Sequence, residues 1–341
     1  MELERLDRFV ENLNTEKRLN QFELMVMIAK MYYMENLTQS EIARKLDMSR
    51  SNVSRLLISC RELGIVEITI NDSSIKSFEL KRKIKNRFGV KDVIITPLLD
   101  DRAANILNAG KAAAKYVSDI LADHMSIAIG WGSTIYKMVN AYTYHSANGV
   151  DVYQLMGGTN IKESHKDGIQ LTIDFAKKVG GVPHFFNAPL VVQNSELKEL
   201  LMNESTIREH LDQAGRSDVA IVALGTNDPE HSSLVLAGCI TKEQSNRLYK
   251  EGICTNIMGQ HMDIYGKLSN KELNDNVMGL TMDQFKKIKL KIGVASGDEK
   301  VRPIISALMG GYINTLITDE RTASLVEQYA DEQKIYNPFS G

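Results

Sequence analysis

Cysteine is nearly absent. Only Cys60, Cys239 and Cys254 occur in 341 residues, far apart and with no C-x-x-C pair, so neither a disulfide framework nor a thiolate zinc site is expected, and a reducing compartment fits. Long apolar runs are missing too. No stretch approaches the roughly 18 apolar residues that a membrane-crossing helix needs, and the opening Met1-Glu2-Leu3-Glu4 has neither the basic nor the apolar part of a secretory signal. A cytoplasmic location without membrane contact is expected. Positive charge is not in excess either: 41 Lys and Arg against 43 Asp and Glu leave a net charge of −2, so any surface that attracts nucleic acid has to be local.

What is present describes a folded chain. The composition is 43% hydrophobic and 25% charged, ordinary for a globular protein, and the length exceeds what one hydrophobic core usually supports, so two unequal domains are expected. Residues 1–20 carry scattered apolar positions (Leu3, Leu6, Phe9, Val10, Leu13) that suit a short amphipathic helix. From 22 to 64 the pattern is helical, and the β-branched run 65–70 reads as a short strand, a β wing. A polar break at 71–74 follows, then a basic helix with Phe78, Leu80, Ile84 and Phe88. The expected organisation is an all-α helix-turn-helix domain at 1–72, a linker helix at 73–90 and a larger domain at 91–341. In the larger domain short apolar strands near 93, 126, 150, 219, 290 and 315 alternate with helical segments, which predicts a Rossmann-like, mainly parallel α/β sheet covered by helices. Such sheets bind ligands at the carboxyl ends of their strands.

Thr38-Gln39-Ser40-Glu41 is a capping box that starts one helix. Ser49 caps a second, after only Asp47-Met48, with small Ala43 where the two approach and Gly64 at the end. Asp47 stands where many such turns use Gly, and Asp tolerates the left-handed conformation required. The exposed face of the second helix presents Arg50, Ser51, Asn52, Ser54 and Arg55, the chemistry of base-edge and phosphate contact. Thr38, Gln39 and Ser49 at the two helix starts join them as candidate DNA contacts. Between Arg44 and Arg61 five basic residues face one acid, so the local positive patch exists. One recognition helix covers few base pairs, so at least a dimer on double-stranded operator DNA is expected.

These residues, 37–43 with 49–57, resemble the N-terminal domain of the SorC family of sugar-responsive transcription regulators. Gly130-Trp131-Gly132-Ser133-Thr134, Gln154 to Gly158, Asp218 to Gly225, Ala295 to Lys300 and Leu316 to Glu320 resemble that family's effector domain in the same order. The resemblance implies a sensor related in fold to glucosamine-6-phosphate deaminase and ribose-5-phosphate isomerase, a homo-oligomer up to a tetramer, and control of a carbohydrate-utilisation operon by a phosphorylated sugar or polyol. It also implies that Gln170 makes a polar effector contact, and that Asn256 stands where relatives often have an acidic residue that binds effector hydroxyls.

Apart from the resemblance, Gly130 to Thr134 follows a strand and opens a helix, so backbone N–H groups and the Ser133 and Thr134 hydroxyls converge on a place for an anion. Gly157-Gly158 and Gly225-Thr226 are further small-residue loops after strands, and Lys300, opening another helix, adds a point charge for phosphate. Trp131 either stacks on ligand or fills the core. His261 and Asp263 have a metal-like spacing without further ligands, so packing or hydrogen bonding is expected there and neither a metal nor a cofactor is. Two other functions stay open. One is a sugar-phosphate isomerase, for which Asp218, Asp228 and His231 lie near strand ends without forming a recognisable acid/base pair. The other is an assembly module with a vestigial pocket.

Overall fold

The computed structural model describes residues 15–66, 73–143, 146–159 and 167–336. Residues 1–14 of the helix expected at 1–20 and most of the expected wing strand, 67–70, lie outside the described residues. The chain separates into two compact units, Met1–Asp72 and Ser73–Gly341.

The first unit contains α1 (Thr15–Tyr33), α2 (Gln39–Lys45) and α3 (Arg50–Glu62). Local chemistry sets each boundary. The Thr38 hydroxyl accepts the Glu41 N–H at 3.3 Å while the Glu41 carboxylate accepts the Thr38 N–H at 2.8 Å, which satisfies two orphan donors at the start of α2 and stabilises it by about 1 kcal/mol. Asp47 then turns the chain with φ 51, and Gly64 leaves α3 with φ 69. Ile28, Ile42, Ala43, Val53 and Leu57 form the buried core where the three helices meet. Each of the larger side chains contributes about 1.5 to 3 kcal/mol by burial, so a core this small depends on all of them.

The second unit opens with α4 (Ser73–Phe88). Leu80, Ile84 and Phe88 join the main core, and the half-buried Arg87 guanidinium bonds to Glu327 at 3.2 Å and to the Ile335 carbonyl at 3.2 Å. The apolar stripe at every fourth position thus packs the stretch expected as a linker into this unit. After it come β1 (Asp92–Thr96), α5 (Arg102–Ile120), β2 (Ser126–Ile129), α6 (Ser133–Ala141), β3 (Asp151–Gln154), α7 (Gly168–Val179) and β4 (Val182–His184). Helices α8 (Ser195–Asn203) and α9 (Ser205–Ala214) lead to β5 (Val219–Ala223) and β6 (Gly225–Thr226). Then follow α10 (Ser233–Leu236), α11 (Lys242–Lys250), β7 (Thr255–Ile257), β8 (Gln260–Met262), α12 (Lys271–Asp275) and α13 (Met282–Lys287). The last elements are β9 (Leu290–Val294), a 3₁₀ turn (Asp298–Lys300), α14 (Val301–Met309), β10 (Thr315–Asp319) and α15 (Glu320–Glu332).

Seven strands form one sheet in the order β1, β10, β9, β5, β2, β3, β4, and every neighbouring pair is parallel. Its central strands are Val- and Ile-rich and buried along almost their whole length, as a sheet covered on both faces requires. A small antiparallel sheet, β6, β7 and β8, lies after the carboxyl end of β5. From β2 the chain proceeds outward through β3 to β4, whereas from β5 it proceeds the other way through β9 to β10. The direction therefore reverses between the adjacent strands β2 and β5. At such a switch point the following loops diverge and leave a crevice. No helix among the described residues is long and apolar enough to cross a membrane, and the three cysteines are free.

Candidate functional site

Two surfaces carry chemistry. On the first unit, Arg50, Ser51 and Arg55 are exposed along the outer face of α3, with Asn52 and Ser54 half-buried. Neither Arg50 nor Arg55 makes an ion pair or hydrogen bond among the described residues, so both guanidinium groups are available to phosphates or base edges. The Ser49 hydroxyl is already engaged: it accepts the Asn52 N–H at 3.2 Å and sits 3.0 Å from the Ser51 hydroxyl. Thr38 is committed to Glu41 in the same way, and its hydroxyl and amide hold the Glu41 carboxyl below the usual carboxylate range. Thr38 and Ser49 therefore position helix starts, while the side chains free to reach outward are those of α3 and, half-buried at the head of α2, Gln39.

On the second unit a cavity of about 780 Å³ opens over the switch point, within the range of small-ligand sites. Trp131 to Thr134 after β2, Gly225 after β5, Asn256 on β7, and Ser296 with Lys300 after β9 all line it. Gly132 supplies the sharp entry to α6 with φ 129, a conformation side-chain-bearing residues rarely adopt, and no side chain caps that helix. The first-turn amides of α6 thus have no acceptor from a cap and face the crevice with the positive end of the helix dipole. Thr134 is buried and Ser133 exposed at the cavity edge. Trp131 is 8% exposed yet lines the cavity, so it serves as both core and wall.

Lys300 is half-buried, and burial pushes its ammonium down to about 8, with Glu299 opposing the shift and Arg102 adding to it. The loop carrying it is fixed from below. Buried Asp319 accepts from the Ser296 hydroxyl at 2.7 Å and from the Thr322 N–H at 2.8 Å, while the Thr322 hydroxyl accepts the Gly297 N–H at 2.9 Å.

Several expected residues are elsewhere. Gly130 lies beneath the cavity, donating its N–H to the Ile221 carbonyl, and a Cβ there would meet Met156 at 3.1 Å. Gly157 is packed against backbone, since a Cβ there would lie 2.5 Å from the Pro189 carbonyl oxygen, and the Gly158 N–H donates to the Ala188 carbonyl. Thr226 is buried, its hydroxyl accepting the Asp228 N–H at 3.1 Å. Gln170 is exposed on α7 and bonds to Asp174. None of these five lines the cavity. His261 is buried, its imidazole pushed by burial down to about 4, and it bonds to Asn227. Asp263 accepts from the amides of Tyr265 and Lys267 in a turn.

The lining also holds His231, expected only for the isomerase alternative, and residues that sequence reasoning did not select: Arg102, Glu230 and Glu299. His231 Nδ1 lies 2.9 Å from Asp228. Burial pushes the Asp228 carboxyl up, but the bonds from His231 and the Glu230 amide outweigh it and hold the group below its usual range. Asp218 is remote from this pair, accepting from the amide and hydroxyl of Ser126 just before β5 begins. Among the described residues no group of three or more His, Cys, Asp or Glu side chains could hold a metal ion.

Comparison with known proteins adds to this geometry. The family model described as "Putative sugar-binding domain" matches residues 72–326, and the model of sigma-70 region 4 matches 18–62. The transcriptional regulator LsrR of Enterobacter sp. (strain 638) is 30% identical over 311 residues, covering 90% of this chain and 94% of its own length. The deoxyribonucleoside regulator of Bacillus subtilis is 27% identical, over 88% of this chain and 96% of its own. The crystal structure of the full-length sorbitol operon regulator SorC from Klebsiella pneumoniae superposes with a TM-score of 0.69 at 27% identity, covering 89% of this chain and 98% of that one.

Proposed function

Because the chain belongs to the SorC family of transcriptional regulators, which join a helix-turn-helix to a sugar-binding domain, we propose that it binds operator DNA through α3 and that a phosphorylated sugar or polyol in the switch-point cavity controls that binding. The first unit is the reader and the second the sensor and oligomerisation domain, and the protein acts in the cytoplasm as a homodimer or tetramer. The observation that carries the effector reading is the meeting of an uncapped helix start at Gly132 to Thr134 with the Lys300 ammonium in one cavity. A phosphate there receives backbone N–H bonds, a hydroxyl and a point charge together. Asn256, Gly225 and His231 face the remaining volume, where sugar hydroxyls sit.

Among the described residues the Asp228 and His231 pair is the feature that favours catalysis, since an oriented imidazole beside a sugar phosphate has the parts of a general base. The named relatives are regulators, so we assign His231 to ligand contact, with Asp228 orienting its ring. Operator affinity measured with and without a saturating phosphorylated sugar, chosen from a thermal-shift panel, tests the whole reading. A ratio corresponding to about 1 to 3 kcal/mol is expected, and DNA must change effector affinity by the same factor. Equal affinities in both arms refute sensing, and turnover of the sugar phosphate reinstates the enzyme.

A further inference from the structure

We infer that Glu299 is an internal anion that occupies the cavity's cations until a phosphate displaces it, so that this residue restrains ligand binding. The inference deepens the phosphate-site reading above and rests on it. Glu299 stands in the Asp298–Lys300 turn, directly before Lys300. A Cβ built on Gly297 would lie 2.6 Å from Glu299 Oε2 and 2.9 Å from Oε1. Glycine leaves room for the carboxylate in this position, and Gly297 also takes the φ of 125 that the turn needs. The carboxylate is therefore folded back over its own loop.

Its charge is not idle. Arg102, from the start of α5, pairs with Glu299 across the carboxyl end of β10, and the Glu299 side chain is 9% exposed against 59% for Arg102. The same charge opposes the loss of the Lys300 proton. All three residues line the cavity. The neighbouring acid is spoken for elsewhere: Asp298 accepts two hydrogen bonds from Arg321, at 2.8 and 2.7 Å. One carboxylate thus pairs with Arg102 and offsets part of the remaining positive charge at Lys300. A phosphate dianion entering beside Lys300 meets repulsion from that carboxylate and competes with it for Arg102. Binding then requires Glu299 to yield.

The test uses the full chain and inorganic phosphate as the probe, because phosphate has no sugar hydroxyls for a carboxylate to accept from. Calorimetry at pH 7 compares the wild type with Glu299→Gln, Glu299→Ala, Arg102→Gln and Lys300→Ala, each checked by thermal melting. Both Glu299 variants are expected to bind phosphate about fivefold tighter or more, since removing one like charge at close range gives that much even with full screening by water. Arg102→Gln is expected to bind more weakly, and Lys300→Ala to lose binding. Phosphate binding by the wild type that is unchanged or weakened in both Glu299 variants overturns this inference and leaves the phosphate site standing. Failure of the wild type and both Glu299 variants to bind phosphate at all overturns the site as well.

Discussion

For Lys300 to grip a phosphate, its ammonium has to be charged when the ligand arrives, and burial works against that. In the empty cavity the group titrates at about 8, with Glu299 partly restoring its charge. A sugar phosphate is already fully ionised above pH 7, since its second pKa is about 6, so the lysine is the group whose charge changes between pH 7 and 9. A bound dianion raises the lysine pKa back towards its unperturbed value of about 10.4. Affinity therefore follows the protonated fraction of the empty site, about nine-tenths at pH 7 and about one-tenth at pH 9, a fall of about tenfold. The effect is nearly fully present below about pH 7 and is lost as pH rises through 8. At pH 8 each binding event should take up about half a proton. Calorimetry in two buffers of different ionisation enthalpy measures that uptake directly. Lys300→Arg keeps its charge throughout and should bind with little change over the same window. Equal wild-type affinity at pH 7 and 9, or an undiminished fall in Lys300→Arg, refutes the argument.

On the first unit, Arg50→Ala and Asn52→Ala should each weaken operator binding by about 1 to 3 kcal/mol in a fluorescence anisotropy titration, while the effector's thermal shift stays as in the wild type. If operator affinity is untouched in both, α3 is not the reader. In the cavity, Gly132→Val meets no close atom, since the nearest neighbour of a Cβ is Ala223 at 3.4 Å, but it forces a β-branched residue to φ 129. Effector binding should be lost with the far-ultraviolet circular dichroism unchanged, and retained binding would show that the cradle needs no glycine.

What could be read from the sequence is what local chemistry decides. The capping box at Thr38 and Glu41, the left-handed Asp47 and the Ser49 cap act within four residues of one another, so the helix pair is legible without tertiary information. Six of the seven parallel strands are legible too, because burial on both faces makes them apolar runs such as 219–223, while the three-residue edge strand β4 is not. The three-stranded sheet of β6, β7 and β8 escapes, since strands of two or three residues carry no period. The helices between 195 and 214 escape for another reason: they follow no long strand, so the alternation gives no cue. Gly157-Gly158 shows a deeper limit. A glycine pair after a strand announces room for close approach, but not whether a ligand or another stretch of chain takes it, and here residues 188–190 do. Arg102 and Glu299 were hidden by looking like ordinary solvated charges at helix starts.

Asn256 illustrates how a long-range network decides a residue that sequence alone leaves ambiguous. The Asn227 side chain donates both its hydrogens to backbone carbonyls, Ile253 at 3.0 Å and Thr255 at 3.1 Å. Its orientation is thereby fixed, and its Oδ1 has to face the other way. There it accepts from Asn256 Nδ2 at 3.1 Å and from His261 Nδ1 at 3.2 Å. His261 is neutral at physiological pH, because burial pushes it down to about 4, so its one ring proton sits on Nδ1 to make that bond. Position 256 must therefore supply a donor. An ionised carboxylate there would set two acceptors face to face in a site that is 5% exposed at Asn256 and fully buried at Asn227, where an unpaired charge is costly. The Asn256 Oδ1 is in turn turned over Gly225, whose missing side chain leaves it room: a Cβ would lie 2.4 Å away. Gly225, Asn227, Asn256 and His261 are consequently one unit. A chain with an acid at 256 needs a different partner at 227 or 261, and its contacts to ligand hydroxyls do not transfer to this protein.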